Sequence, residues 1–108
     1  MVSHFYAFAI ATSVLAQVIN SSVVKASTEE DSQRLVHYGM GWGVAITLCD
    51  LVENDAISKT GGDLFVSNFR GGFENQIDNQ PMEYLRKQSV KDGFNDGVKQ
   101  VPGCSLIY

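Results

Sequence analysis

The first pattern along the chain is an apolar run from Phe5 to Ile19, which turns polar at Asn20 to Ser22 and closes in Val24-Lys25-Ala26. Compact residues three before and one before the bond that follows Ala26 resemble a signal-peptidase site. The reading is a signal peptide over residues 1–26, cleaved after Ala26, and a single helical domain over residues 27–108; cleavage after Ala16 is the second choice. The first residues carry no Lys or Arg, so only the amino terminus and His4 orient the segment. An uncleaved membrane anchor and a buried first helix stand as alternatives.

The period changes after Ala26. Ser27 or Thr28 can cap a helix, Glu30 stands three after Ser27, and the acidic run Glu29-Glu30-Asp31 suits the positive end of a helix. From there Leu35, Tyr38, Trp42, Ala45, Cys49, Val52 and Ala56 follow one another in steps of three and four, with Gly41, Val44, Leu48 and Leu51 as a second stripe beside them. Together they cover more than half the circumference, wider than a surface helix needs. This predicts a central helix, wrapped by the others and running towards Ala56, with a narrow polar strip of Asp50, Glu53 and Asn54.

Inside that helix lies YGMGWGVAITLC, with glycines at 39, 41 and 43. The spacing G-x-G-x-G lacks the third glycine of a dinucleotide loop and follows a charged helix start rather than a strand, so a phosphate loop is not the reading. Three glycines in a helix cost about 2 to 3 kcal/mol relative to alanines. Gly39 and Gly43 fall on the same side as Asp50. They are expected either to admit a closely crossing helix or to floor a shallow groove for a partner.

Two more helices follow. Ser58 to Asp63 reads as a loop or cap, and Phe65, Phe69 and Phe73 at steps of four, flanked by Val66 and Ile77, predict a second helix that Gly71-Gly72 ends or kinks. Pro81 fits the first turn of a third helix reaching about Val101, with Val90, Phe94, Val98 and Val101 as its stripe and Gly97 beside it. Pro102-Gly103 stops it before the apolar tail Cys104 to Tyr108.

Charge narrows the partners. The 108 residues carry a formal charge of −4, and removing Lys25 from eight basic side chains set against twelve acidic ones takes it to about −5. No basic cluster follows a phosphate backbone or an anionic bilayer, so nucleic acid and stable membrane association are disfavoured. Proteins, cations, basic peptides or small molecules remain. Cys49 and Cys104 are the only cysteines, and in an exported chain they form one disulfide, worth roughly 4 kcal/mol by loss of chain entropy in the unfolded state.

Candidate chemistry is sparse. Lys91 to Gly97, KDGFNDG, matches a calcium loop at Asp92, Asp96 and Gly97 but has Phe94 at a ligating position and Gly103 where a bidentate Glu belongs. Asp50, Glu53 and Asp55 share a helix face and read as a solvated strip. His37, at the margin of the apolar arc, has no serine in a nucleophile elbow to serve. Tyr38, Trp42 and the three phenylalanines read as core rather than pocket.

The expectation is an all-α protein: a small three- to four-helix bundle with one disulfide, preceded by a signal peptide. Its expected role is that of a non-enzymatic protein-interaction module or accessory subunit in the periplasm or another extracytoplasmic compartment. The candidate surface is Gly39, Gly43, Asp50, Glu53 and Asn54; no catalytic residue, metal ligand or cofactor is assigned. In size, export and single bridge the chain is loosely similar to periplasmic acid-stress chaperones and to helical immunity proteins that inhibit secreted toxins. That likeness implies a chaperone or inhibitor as the alternative role and carries no residue over; a small cation-binding domain or enzyme centred on Asp50, Glu53 and His37 stands behind both.

Overall fold

A computed structural model describes residues 28–108. The expected signal peptide, its cleavage point and Ser27 lie outside the described residues. Those residues form three helices and no strand: α1 (Glu29–Glu53), α2 (Lys59–Ile77) and α3 (Glu83–Lys99). From Ser32 onward they make one compact unit.

Each helix begins and ends for a local reason. Thr28 caps α1, its Oγ1 accepting the Asp31 amide at 3.0 Å, with three acidic side chains in the first turn. The helix stops at Glu53 rather than Ala56 because Asp55 turns left-handed (φ 58°), and the amides of Ala56 and Ile57 fold back onto the Leu51 carbonyl at 2.8 and 3.2 Å. Ser58 caps α2 through a 3.0 Å bond from the Gly61 amide. α2 then runs through Gly71-Gly72 without a break, against the expected stop or kink. Both glycines face open space, while Phe73 and Ile77 beyond them are buried and Arg70 bridges to Glu74 at 3.3 Å. Packing on one face therefore carries the helix across its weakest point. α3 starts at Glu83 and ends at Lys99, two residues inside the expected limits on each side. Left-handed Asn79 and Met82 make the connecting turn, and Lys87 fastens it by contacting Asp78 at 2.7 Å and Glu83 at 2.8 Å.

The packing departs most from the sequence reading along α1. Its buried residues are His37, Gly41, Ala45, Leu48 and Cys49, a stripe running between the two predicted ones. Leu35 is 74% exposed, Trp42 is 40% exposed, and Leu51 and Met40 also reach the surface. α1 is thus not a central helix wrapped on all sides; it lies against its neighbours along one stripe only.

The close crossing expected at Gly39 and Gly43 occurs at Gly41 instead. A methyl group on Gly41 would overlap the Val90 carbonyl oxygen and the Phe94 amide nitrogen of α3, whereas one on Gly39 or Gly43 meets nothing within 4 Å. α3 answers with Gly93, against the Tyr38 carbonyl, and Gly97, where a methyl would stand 2.8 Å from both the Trp42 carbonyl oxygen and the Ala45 Cβ. Small residues four apart on both helices, Gly41/Ala45 and Gly93/Gly97, let the backbones touch. Tyr38 ties the edge of this contact by donating its hydroxyl to Asp96 Oδ2 at 2.7 Å.

One core cluster gathers Ala45, Leu48, Cys49, Val66, Phe94 and Leu106; a second gathers Phe73, Ile77 and Val90. Tyr108 packs on both, tilted against the Phe94 ring at 5.4 Å and covered by the Arg70 guanidinium at 5.1 Å. The Cys49–Cys104 disulfide spans 55 residues with its Cα atoms 5.6 Å apart and fastens the tail after α3 to the buried stripe of α1.

Candidate interaction surface

On α1, Gly39, Gly43 and Asp50 fall within a narrow arc opposite Gly41, at 100° per residue. They face outward together, as the sequence requires, yet no second helix crosses them. Gly43 helps to line an open groove of about 410 Å³, completed by Val44, Thr47, Leu48 and Leu51 of α1, Ile57 of the connection and Phe65 of α2. Phe65 is 54% exposed and Leu64 beside it 61%. The one hydroxyl in the wall, on Thr47, donates to the Gly43 carbonyl at 2.8 Å, so the surface is almost wholly apolar.

The polar members of the predicted surface divide. Asp50 and Glu53 are exposed near the end of α1, and Asn54 is engaged locally, its Nδ2 donating to the Asp50 carbonyl at 2.8 Å. Gly39 lies outside the groove lining. Asp50, Glu53 and Asp55 enter none of the ion pairs among the described residues, and the last turn of α1 has no basic residue. Three carboxylates therefore stand at the negative end of a helix dipole, an unfavourable place that a cationic partner would relieve.

Sequence reasoning missed Ile57 and Phe65, because they come to Gly43 from outside α1; Phe65 was read as core on its spacing to Phe69 and Phe73. Lys91 to Gly97 is continuous helix with Phe94 fully buried, and its acids are engaged, Asp92 by Gln88 and Asp96 by Tyr38. Among the described residues no group of three or more His, Cys, Asp or Glu stands ready to hold a metal. His37 is 8% exposed, and its Nδ1 donates to the Gln33 carbonyl at 2.8 Å. Compared with known families, curated proteins and solved structures, the chain matches none.

Proposed function

We propose that this protein is a non-enzymatic interaction module of an extracytoplasmic compartment, and that its apolar groove takes up a basic amphipathic segment of a partner protein. The observation that carries the reading is the groove itself: a contiguous apolar surface formed by Gly43, Val44, Leu51, Ile57 and Phe65 on a chain small enough to need such side chains inside. The unpaired acids at the adjoining end of α1 favour positive charge on the occupant. The disulfide, with Cys49 fully buried, favours an oxidising compartment.

By length and composition α1 is also apolar enough to cross a membrane. Its buried stripe, however, carries α3 along it, and α3 bears Lys91, Asp92, Asp96 and Lys99. Moving α1 into lipid would take those charges with it or break the contact, so a protein partner fits the surface better.

The test is a photoreactive side chain at position 65, compared with one at position 84, which is more exposed on α3 and lies outside the groove lining. The expected result in the native host is one defined crosslinked adduct from position 65, lost when Leu51 is replaced by Lys. Equal adducts from both positions, or one indifferent to Leu51→Lys, would refute the reading.

A further inference from the structure

A second recess, of about 470 Å³, shares no lining residue with the groove and is lined by His37 and Met40 of α1, Phe73, Gln76 and Ile77 of α2, Gln80 of the connecting turn and Arg86 of α3. Its wall is of two kinds. Phe73 and Ile77 are buried and give an apolar floor, with Met40 exposed at its rim. Arg86, His37 and the two glutamines supply polar groups at a size usual for small-molecule sites.

Arg86 is the unexplained member. Its Nε is buried and has no hydrogen-bond partner. The carboxylates on either side of it in sequence are already engaged: Lys87 holds both Asp78 and Glu83, the Glu83 carboxylate also accepts the Asn79 amide at 3.1 Å, and Asp92 accepts from Gln88 at 2.9 Å. No ion pair among the described residues includes Arg86. An acidic chain has thus placed a guanidinium in a recess without giving it a counter-ion, although an unpaired buried donor of a charged group costs about 1 to 3 kcal/mol or more. His37 is fixed opposite in kind: its ring stacks at a tilt on Phe73, 5.7 Å between centroids, and Nδ1 donates to Gln33, which leaves Nε2 of the neutral ring as an acceptor. Neither Gln76 nor Gln80 uses its side-chain amide in a hydrogen bond among the described residues.

We infer that this recess is a binding site for a small organic carboxylate with an apolar body. The carboxylate pairs with the Arg86 guanidinium, whose planar fork matches it; the apolar body lies on Phe73, Ile77 and Met40; and a hydroxyl or amide donor on the ligand reaches His37 Nε2. The site is separate from the groove and does not depend on it.

Phenylacetate tests the assignment on the full disulfide-bonded chain, followed by amide and arginine Nε–Hε resonances. The expected result is saturable movement of the Arg86 Nε–Hε signal and of the Phe73, Gln76 and Ile77 amides, with a dissociation constant of about 1 mM or tighter. Neutral 2-phenylethanol should bind about tenfold more weakly, and Arg86→Met should weaken phenylacetate by about tenfold while melting no lower than the native chain, because it removes an unsatisfied donor. Resonances that fail to saturate, equal binding of the neutral alcohol, or undiminished binding to a folded Arg86→Met would each overturn the inference. A folding failure of Arg86→Met leaves the alcohol comparison to decide.

Discussion

Replacing Gly41 with alanine is the sharpest test of how α1 meets α3. Alanine is the better helix former by about 1 kcal/mol, so a helix read alone would gain stability. In the fold the new methyl overlaps two backbone groups of α3, the Val90 carbonyl oxygen and the Phe94 amide nitrogen. Backbone atoms within a helix cannot rotate aside as a side chain can, so α1 and α3 must separate and loosen the fully buried Ala45, Val90 and Phe94. Overpacking costs about 1 to 3 kcal/mol, and about 3 to 4 kcal/mol against backbone that cannot yield, which leaves a net loss of about 2 to 3 kcal/mol after the propensity gain. For a domain of this size that lowers the melting temperature by roughly 10 to 20 °C. Gly39→Ala, Gly71→Ala and Gly72→Ala meet nothing within 4 Å and should instead raise stability by about 0.5 to 1 kcal/mol each. Thermal and urea unfolding followed by circular dichroism, with the disulfide intact in every variant, reads all four. A Gly41→Ala protein as stable as the native chain would refute the close contact.

Replacing Cys49 and Cys104 together with alanine should cost roughly 4 kcal/mol, the chain entropy of a 55-residue loop, measured as a fall in the urea midpoint. The hydrogen bond from Lys87 lowers the Asp78 carboxyl below its usual range; its contribution is therefore present above about pH 4 and lost as pH falls through the lowered value, and Asp78→Asn should flatten the acid limb of the stability profile. Burial raises the Tyr108 phenol, followed by the nearby Glu74 charge. Stability should hold below about pH 10 and fall as pH rises towards the raised value; Tyr108→Phe should make that fall shallower, leaving the part that Tyr38 contributes, without loss at neutral pH, because the buried hydroxyl has no partner.

Much of the fold was legible in the sequence where a local device acted alone. The acidic start after Thr28, the serine before Lys59 and the phenylalanines at 69 and 73 each mark their helix by chemistry confined to a turn or two. The cysteine pair had one possible partner choice, and the structure joins it. The reading failed where neighbours decided. Gly71-Gly72 looks like a break until Phe73 and Ile77 are seen to be anchored beyond it. Of the candidate surface, Gly39, Gly43, Asp50 and Glu53 do face outward, but the groove takes its walls from Ile57 and Phe65, and the recess joins His37 to Arg86 across three helices.

The sequence by itself determined an all-helical chain, the caps that start its first two helices and a covalent tie, because each follows from residues within a few positions of one another or from a single available pair. It left open which face of α1 is buried, since a helix apolar around most of its circumference gives periodicity no preferred direction. Only the tertiary structure chose Gly41 over Gly39 and Gly43, because that choice depends on Gly93 and Gly97 approaching from α3. Only the tertiary structure, too, shows Leu51 and Phe65 exposed beside a groove and Arg86 half-buried with its Nε unpartnered, because those positions depend on how separate helices pack.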